Sequence, residues 1–215
     1  MHIPDGFIAP QMYLPLYAGA AGVWAYGVRR LRRMLDDRTL PLLAALTAFA
    51  FVLMMIMVPL PGGTTVHASG IAILAIVFGV WTSFLCISMV LLLQALLFGD
   101  GGITALPLNA LAMGLAGSAT AFGCYGLIRG WRENVALFVA GWASVNVAAL
   151  LLAIALGLQP RIASDAAGQP LFFPFGLSIT LPAVMIPHAL IGVAEGLLTI
   201  AVVRFIRPFR NRLAG

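Results

Sequence analysis

The chain reads as an all-α membrane protein: seven transmembrane helices, N-terminus outside, C-terminus cytoplasmic. Three observations predict this. Of 215 residues, 62% are hydrophobic and 9% charged, whereas soluble domains carry about 25% charged residues. The apolar residues fall into runs of membrane-crossing length, roughly 20 residues each. The arginines fall between those runs on one side, as cytoplasmic loops require.

The first run covers about residues 9–28 and ends in Arg29, Arg30, Arg32 and Arg33. It lacks the positive head and small-residue cleavage site of a secretory signal, so it is expected to be retained, with Met1 as the terminus. A second run covers about 40–60. The third, about 64–98, would be roughly 50 Å long as one helix, against a hydrocarbon core of about 30 Å. It is therefore read as two spans, breaking near Gly79-Val80-Trp81-Thr82-Ser83. Further spans follow at about 105–128, 134–157 and 181–206.

Charge parity selects this count. With seven spans, eleven of the twelve arginines lie on the inner side and Arg161 alone does not. With six, Arg129, Arg132 and the arginine-rich tail would move outside. That placement, between spans instead of on one exposed face, speaks against nucleic-acid binding despite the net charge of +5. No repeat and no long linker divides the chain, so residues 1–215 read as one membrane-embedded domain. Cys86 and Cys124 sit in apolar runs and read as small buried hydrophobes.

The outer side collects the polar chemistry. Met1-His2 is a compact nitrogen chelator: terminal amine, residue 2 amide and His2 imidazole can close two fused rings on one metal ion. Pro4-Asp5-Gly6 behind it is a turn-former that can fold the terminus back onto the protein. His67 follows Pro61-Gly62-Gly63 on the same side and reads as an opposing metal ligand, or else as an interfacial histidine bonded to a loop carbonyl. A planar set of four nitrogens points to Ni(II) or Cu(II), with affinity falling in acid because every donor must be deprotonated.

Other polar residues carry a structural reading beside the functional one. Glu195 is an ionisable residue inside a span and hence a functional candidate; the plainer reading bonds it to Asn109, Asn146, Gln94 or Thr199. His188, two helical turns before it, can face the same side and support the metal indirectly. Asp100 is expected to cap the turn before the next span. Small residues (Ala18, Ala21, Gly22 and Ala25; Gly114, Ala116, Gly117 and Gly123) allow close helix packing, inside the protein or against another membrane subunit. The chain has no lysine, so no phosphate-binding loop of the G-x-x-x-x-G-K type exists. Neither H-E-x-x-H nor G-x-S-x-G occurs.

These segments together carry a resemblance. Met1-His2-Ile3-Pro4-Asp5-Gly6-Phe7, Pro61–His67, Gln94–Thr104 with Asn109, and His188–Glu195 resemble the substrate-binding component of energy-coupling-factor transporters for nickel and cobalt, the CbiM/NikM family. The resemblance runs over nearly the whole chain. It implies a non-catalytic, multi-pass subunit of a bacterial or archaeal plasma (inner) membrane. The N-terminus tucks in from outside, and the metal is held by Met1, His2 and His67. It implies Ni(II) as transported substrate, with Co(II) as the alternative. It also implies partners: a transmembrane coupling (T) subunit, two ATP-binding subunits that supply hydrolysis, and a small accessory membrane component. Asp100 departs from it, since many members carry histidine after that glycine. A membrane metalloenzyme using His188 and Glu195, and a structural subunit without ligand, are the competing readings.

Overall fold

A computed structural model of the chain describes residues 2–32, 37–60 and 64–213. Helix α1, Pro10–Leu31, starts with proline in its first turn and ends with Arg29 and Arg30, where cations complement the carbonyl end. Helix α2, Leu40–Met55, is apolar throughout. Strands β1, Val58–Leu60, and β2, Thr64–Val66, then pair antiparallel, with Val58 opposite Val66. Helix α3 is Ile71–Phe78 and α4 is Val80–Phe98. A helical rod, Leu106–Ile128, comprises α5 (Leu106–Asn109), a π-helical stretch Ala110–Gly117 and α6 (Ser118–Ile128). Helices α7 (Glu133–Gly157), α8 (Gln159–Ile162) and α9 (Leu177–Leu213) complete the chain.

Two expectations are corrected. The runs 40–60 and 64–98 are not helical to their ends: α2 stops at Met55, and the ends nearest each other form the hairpin. Pro59 and the β-branched Val58, Thr64, Thr65 and Val66 favour extended backbone there over helix. The break predicted within 79–83 falls at Gly79, whose φ of 84° and ψ of 168° lie outside any helical region. It leaves α3 only eight residues long, roughly 12 Å, too short to cross a membrane alone. Among the described residues, four helices are long and apolar enough to cross: Val80–Phe98, Leu106–Ile128, Glu133–Ile162 and Leu177–Pro208. The shorter apolar Leu40–Met55 accompanies them.

Helix α3 is the centre of the bundle. Ile71, Ala72, Ile73, Leu74 and Ala75 are each at most 1% exposed, as expected of a helix apolar on every face. It packs against α2, α4, α6, α7 and α9. The tightest pair is α7 with α9. A Cβ on Gly141 would lie 2.6 Å from Thr199 Oγ1, and one on Gly196 would lie 2.8 Å from the Phe138 carbonyl. Gly141 and Gly196 thus bring two backbones into direct contact, while Gly192 makes room for the Asn146 and Trp142 side chains. Of the small residues flagged in the sequence, Gly114 packs on Phe84 and Gly117 on Ser144, while Gly22 and Gly123 meet nothing. Cys86 and Cys124 are free thiols.

Candidate metal centre

The N-terminal segment is built into the protein. Met1 lies outside the described residues, as does the Pro61-Gly62-Gly63 turn. From His2 onward the chain is clamped. The Ile3 N–H donates to Asn109 Oδ1 at 3.1 Å, and Asn109 Nδ2 donates back to the Ile3 carbonyl at 3.1 Å. The same carbonyl accepts from Gly102 N at 2.9 Å. One amide side chain therefore satisfies both backbone groups of a residue that is 0% exposed, groups that would be costly to bury unpaired.

The turn behind it is held from the facing loop. The Asp5 carboxylate accepts from Ile103 N at 3.1 Å, Thr104 N at 2.8 Å and the Thr104 hydroxyl at 2.5 Å. Burial works to raise the Asp5 carboxyl, but the donors from Thr104 and Ile103 outweigh it and hold it below its usual range. Tyr17 donates its hydroxyl to the Ile103 carbonyl. Further along, Ala9 N donates to Gln159 Oε1 at 2.9 Å, and the Phe7 and Phe173 rings pack 5.5 Å apart. Pro4, Asp5 and Gly6 form the turn the sequence predicts; the clamp by Asn109 and the latch by Gln159 were not foreseen. A lone amide in an apolar run is their only sequence signal, since a buried amide needs partners.

This docking brings His2 against His67. Their ring centroids are 4.6 Å apart with 40° between planes, and the residues are 2% and 1% exposed. Each ring commits Nδ1: His2 to Asp100 Oδ2 at 2.9 Å, His67 to the Ala68 carbonyl at 2.9 Å. Among the described residues, neither Nε2 has a hydrogen-bond partner, and both are buried. A ring that donates Nδ1–H carries its lone pair on Nε2, so two unpaired donor atoms face a desolvated interior. Desolvation lowers both imidazoles, His67 well below its ordinary 6.5 and His2 despite the opposing bond to Asp100. Both shifts favour the neutral ring, the form metal ligation requires.

Asp100 does not act as the expected cap. Its carboxylate lies on His2 Nδ1. Burial pushes the Asp100 carboxyl up, but the His2 bond overrides it and holds it below its usual range. This contact also bears on the fused-ring chelate. Only Nδ1 closes a small ring through Cγ, Cβ and Cα to the residue 2 amide. In this structure Nδ1 faces Asp100, so chelation through it requires a half-turn of the imidazole about Cβ–Cγ.

His188 is also buried at 1% exposure, with Nδ1–H on the Val184 carbonyl at 2.7 Å and Nε2 unpartnered. Glu195 is fully buried, but none of Asn109, Asn146, Gln94 or Thr199 bonds its carboxylate. Its partners are Ser69 and Gly70, on the turn that follows His67. None of these hydrogen bonds joins the Glu195 carboxyl to His188. Among the described residues, no three His, Cys, Asp or Glu side chains converge into a metal cluster.

The chain has clear relatives. A family described as CbiM, cobalt uptake substrate-specific transmembrane region, matches residues 2–213. The fused nickel transport protein NikMN of Rhodobacter capsulatus is 42% identical over 214 residues, covering 96% of this chain. The chain spans 62% of that fused protein's length. The cobalt transport protein CbiM of Chlorobium limicola is 31% identical, covering 99% of this chain and 83% of its own length. A crystal structure of a truncated transition metal transporter superimposes with a TM-score of 0.92 at 38% identity, covering 96% of this chain and 98% of that one. A second transition metal transporter gives 0.93 at 37% identity, covering 97% and 93%. These relatives are metal transport proteins, not enzymes, and the chain belongs to the CbiM family of multi-pass membrane proteins.

Proposed function

We propose that this chain is the substrate-capture subunit of an ATP-driven, energy-coupling-factor importer. It takes Ni(II) as cargo through the Met1 amine, the residue 2 amide and imidazole, and His67. One observation carries the reading: His2 and His67 lie ring to ring, buried, each with an unpartnered Nε2. Buried polar atoms almost always have partners. Two neutral imidazoles left open beside one another are an arrangement a soft-to-borderline cation completes.

Nickel is favoured over cobalt because a deprotonated amide and imidazoles in one plane suit Ni(II) better. The 42% identity to a nickel transport protein against 31% to a cobalt one points the same way. Co(II) is the second reading, supported by the family's description. The proposed topology counts α1, α2, the segment 64–78 that ends in α3, α4, Leu106–Ile128, Glu133–Ile162 and α9 as seven crossings of one domain. It places His2 outside and the arginine-bearing ends of α1, α6 and α9 in the cytoplasm. The chain would sit in a bacterial or archaeal plasma membrane. A transmembrane coupling subunit, two ATP-binding subunits and a small accessory membrane component would be its partners.

The test is chemical. Acetylation of the terminal amine, or a one-residue extension before Met1, removes one donor and leaves every described contact in place. Nickel affinity should then collapse while the apo-protein stays folded. Undiminished affinity would remove Met1 from the ligand set.

A further inference from the structure

We propose that Glu195 is a positioning residue of the metal centre: it sets the His67 imidazole through the turn 67–70, so that α9 holds this half of the site. The inference rests on the metal-capture reading above and adds a residue to it.

A carboxylate buried in a membrane helix is costly and needs compensation. Glu195 is compensated entirely from one place. Its Oε2 accepts from Ser69 N at 2.7 Å. Its Oε1 accepts from the Ser69 hydroxyl at 3.1 Å and from Gly70 N at 2.7 Å. All three donors belong to the two residues that turn β2 into α3. The Ser69 oxygen also accepts from Ile71 N at 3.3 Å, so the carboxyl is tied through Ser69 to the N-terminus of α3.

His67 lies two residues before this clamp. Among the described residues, the one hydrogen bond of its ring runs to the adjacent Ala68 carbonyl, which ties the ring to the turn, beside its packing on His2. The position of the turn therefore decides where Nε2 lies. The turn itself is constrained: Gly70 has φ of 68°, the left-handed region that glycine adopts without strain. On the far side, the backbone of Glu195 is pinned. A Cβ on Gly141 would lie 2.8 Å from the Glu195 carbonyl, so α9 has no slack against α7 at this level. A contiguous path runs from α7, through Gly192 and Gly196 of α9, to Glu195, Ser69, Gly70 and His67. Glu195 could instead serve only to cap α3. That role would lower stability when lost but would leave the geometry of bound metal untouched, which separates the two experimentally.

The experiment uses full-length purified protein, NiCl2 as probe, and two variants. Glu195→Gln keeps the shape but turns one acceptor into a donor facing an N–H. Ser69→Ala removes one hydroxyl and keeps both backbone donors. Nickel affinity per folded molecule, the visible absorption of bound nickel and apo-protein unfolding are measured together. Glu195→Gln should weaken nickel binding by about 10- to 100-fold, the usual effect of losing an outer-shell partner, and shift the visible band. Ser69→Ala should weaken it several-fold with a smaller shift, and decides the matter if Glu195→Gln does not fold. Wild-type affinity and an unchanged spectrum in the variants, with or without a lower unfolding temperature, would overturn the proposal alone. Wild-type protein that binds no nickel would overturn the metal-capture reading together with it.

Discussion

The Gly102→Ala substitution isolates the docking of the N-terminus from the rest of the fold. A Cβ at Gly102 would lie 2.4 Å from Asp5 N, 2.6 Å from Asp5 Oδ1 and 2.7 Å from the Pro4 carbonyl carbon. Ordinary contacts lie near 3.5 Å, so the segment must retreat by about 1 Å. Two of the three obstructing atoms are backbone and cannot rotate away. His2 is two residues from Pro4 and travels with it, away from His67 at 4.6 Å. Functional constellations tolerate displacements of roughly 0.5 Å. Overpacking of this kind costs about 1–3 kcal/mol, a factor of roughly 5–150 in nickel affinity if it falls on the docked state. Calorimetric titration of Ni(II) into the purified variant reads this directly. The control is Gly22→Ala, where an added Cβ meets nothing and affinity should equal wild type. Unchanged affinity in Gly102→Ala would refute the claim that the docked segment forms part of the site.

Other outcomes follow from the same contacts. His67→Ala removes a donor with no bond to the bundle beyond Ala68; nickel binding should fall at least tenfold, on the order of one lost ligand, with helicity by circular dichroism unchanged. Asp100→Ala releases the His2 Nδ1 that the fused chelate uses and should leave nickel affinity at or above wild type, measured by competition with a calibrated chelator. Asn109→Leu strands the buried Ile3 N–H, at about 1–3 kcal/mol; hydrogen exchange at Ile3 should accelerate by roughly 5- to 150-fold. Acid should also undock the site. The folded His67 imidazole lies well below 6.5, so on acidification the unfolded chain takes up its proton first. Its contribution to stability is therefore full above about pH 6.5 and lost as pH falls toward the lower folded value. Apo-protein unfolding temperature against pH should show that slope, shallower in His67→Ala; Asp100 and Asp5, held low, act only in stronger acid.

The legible part of this chain is what short-range chemistry dictates. Long apolar runs announce membrane helices, and Pro4-Asp5-Gly6 announces a turn. The break at Gly79 was legible because one helix of that length would not fit a bilayer. The hairpin 58–66 was not, because Val58 and Val66 are as apolar as helix residues and hydropathy alone does not separate the two. In the candidate site, His2 and His67 stand out in the sequence because the predicted topology puts both on one side. Their neighbours do not. Glu195 to Ser69, His2 to Asp100 and Ile3 to Asn109 are separated by 126, 98 and 106 residues. Which buried carboxylate answers which donor is a property of the packed bundle. Asp100 was misread for this reason: next to a glycine turn an aspartate reads as a cap, until another segment supplies an imidazole.

The central claim is that one metal ion joins the chain's first two residues to His67. X-ray absorption at the nickel edge, on full-length protein loaded with one equivalent of Ni(II), tests it most directly. The account predicts a four-coordinate planar nitrogen shell with imidazole scattering that weakens in both His2→Ala and His67→Ala. A six-coordinate, oxygen-dominated shell identical in wild type and both variants would contradict it.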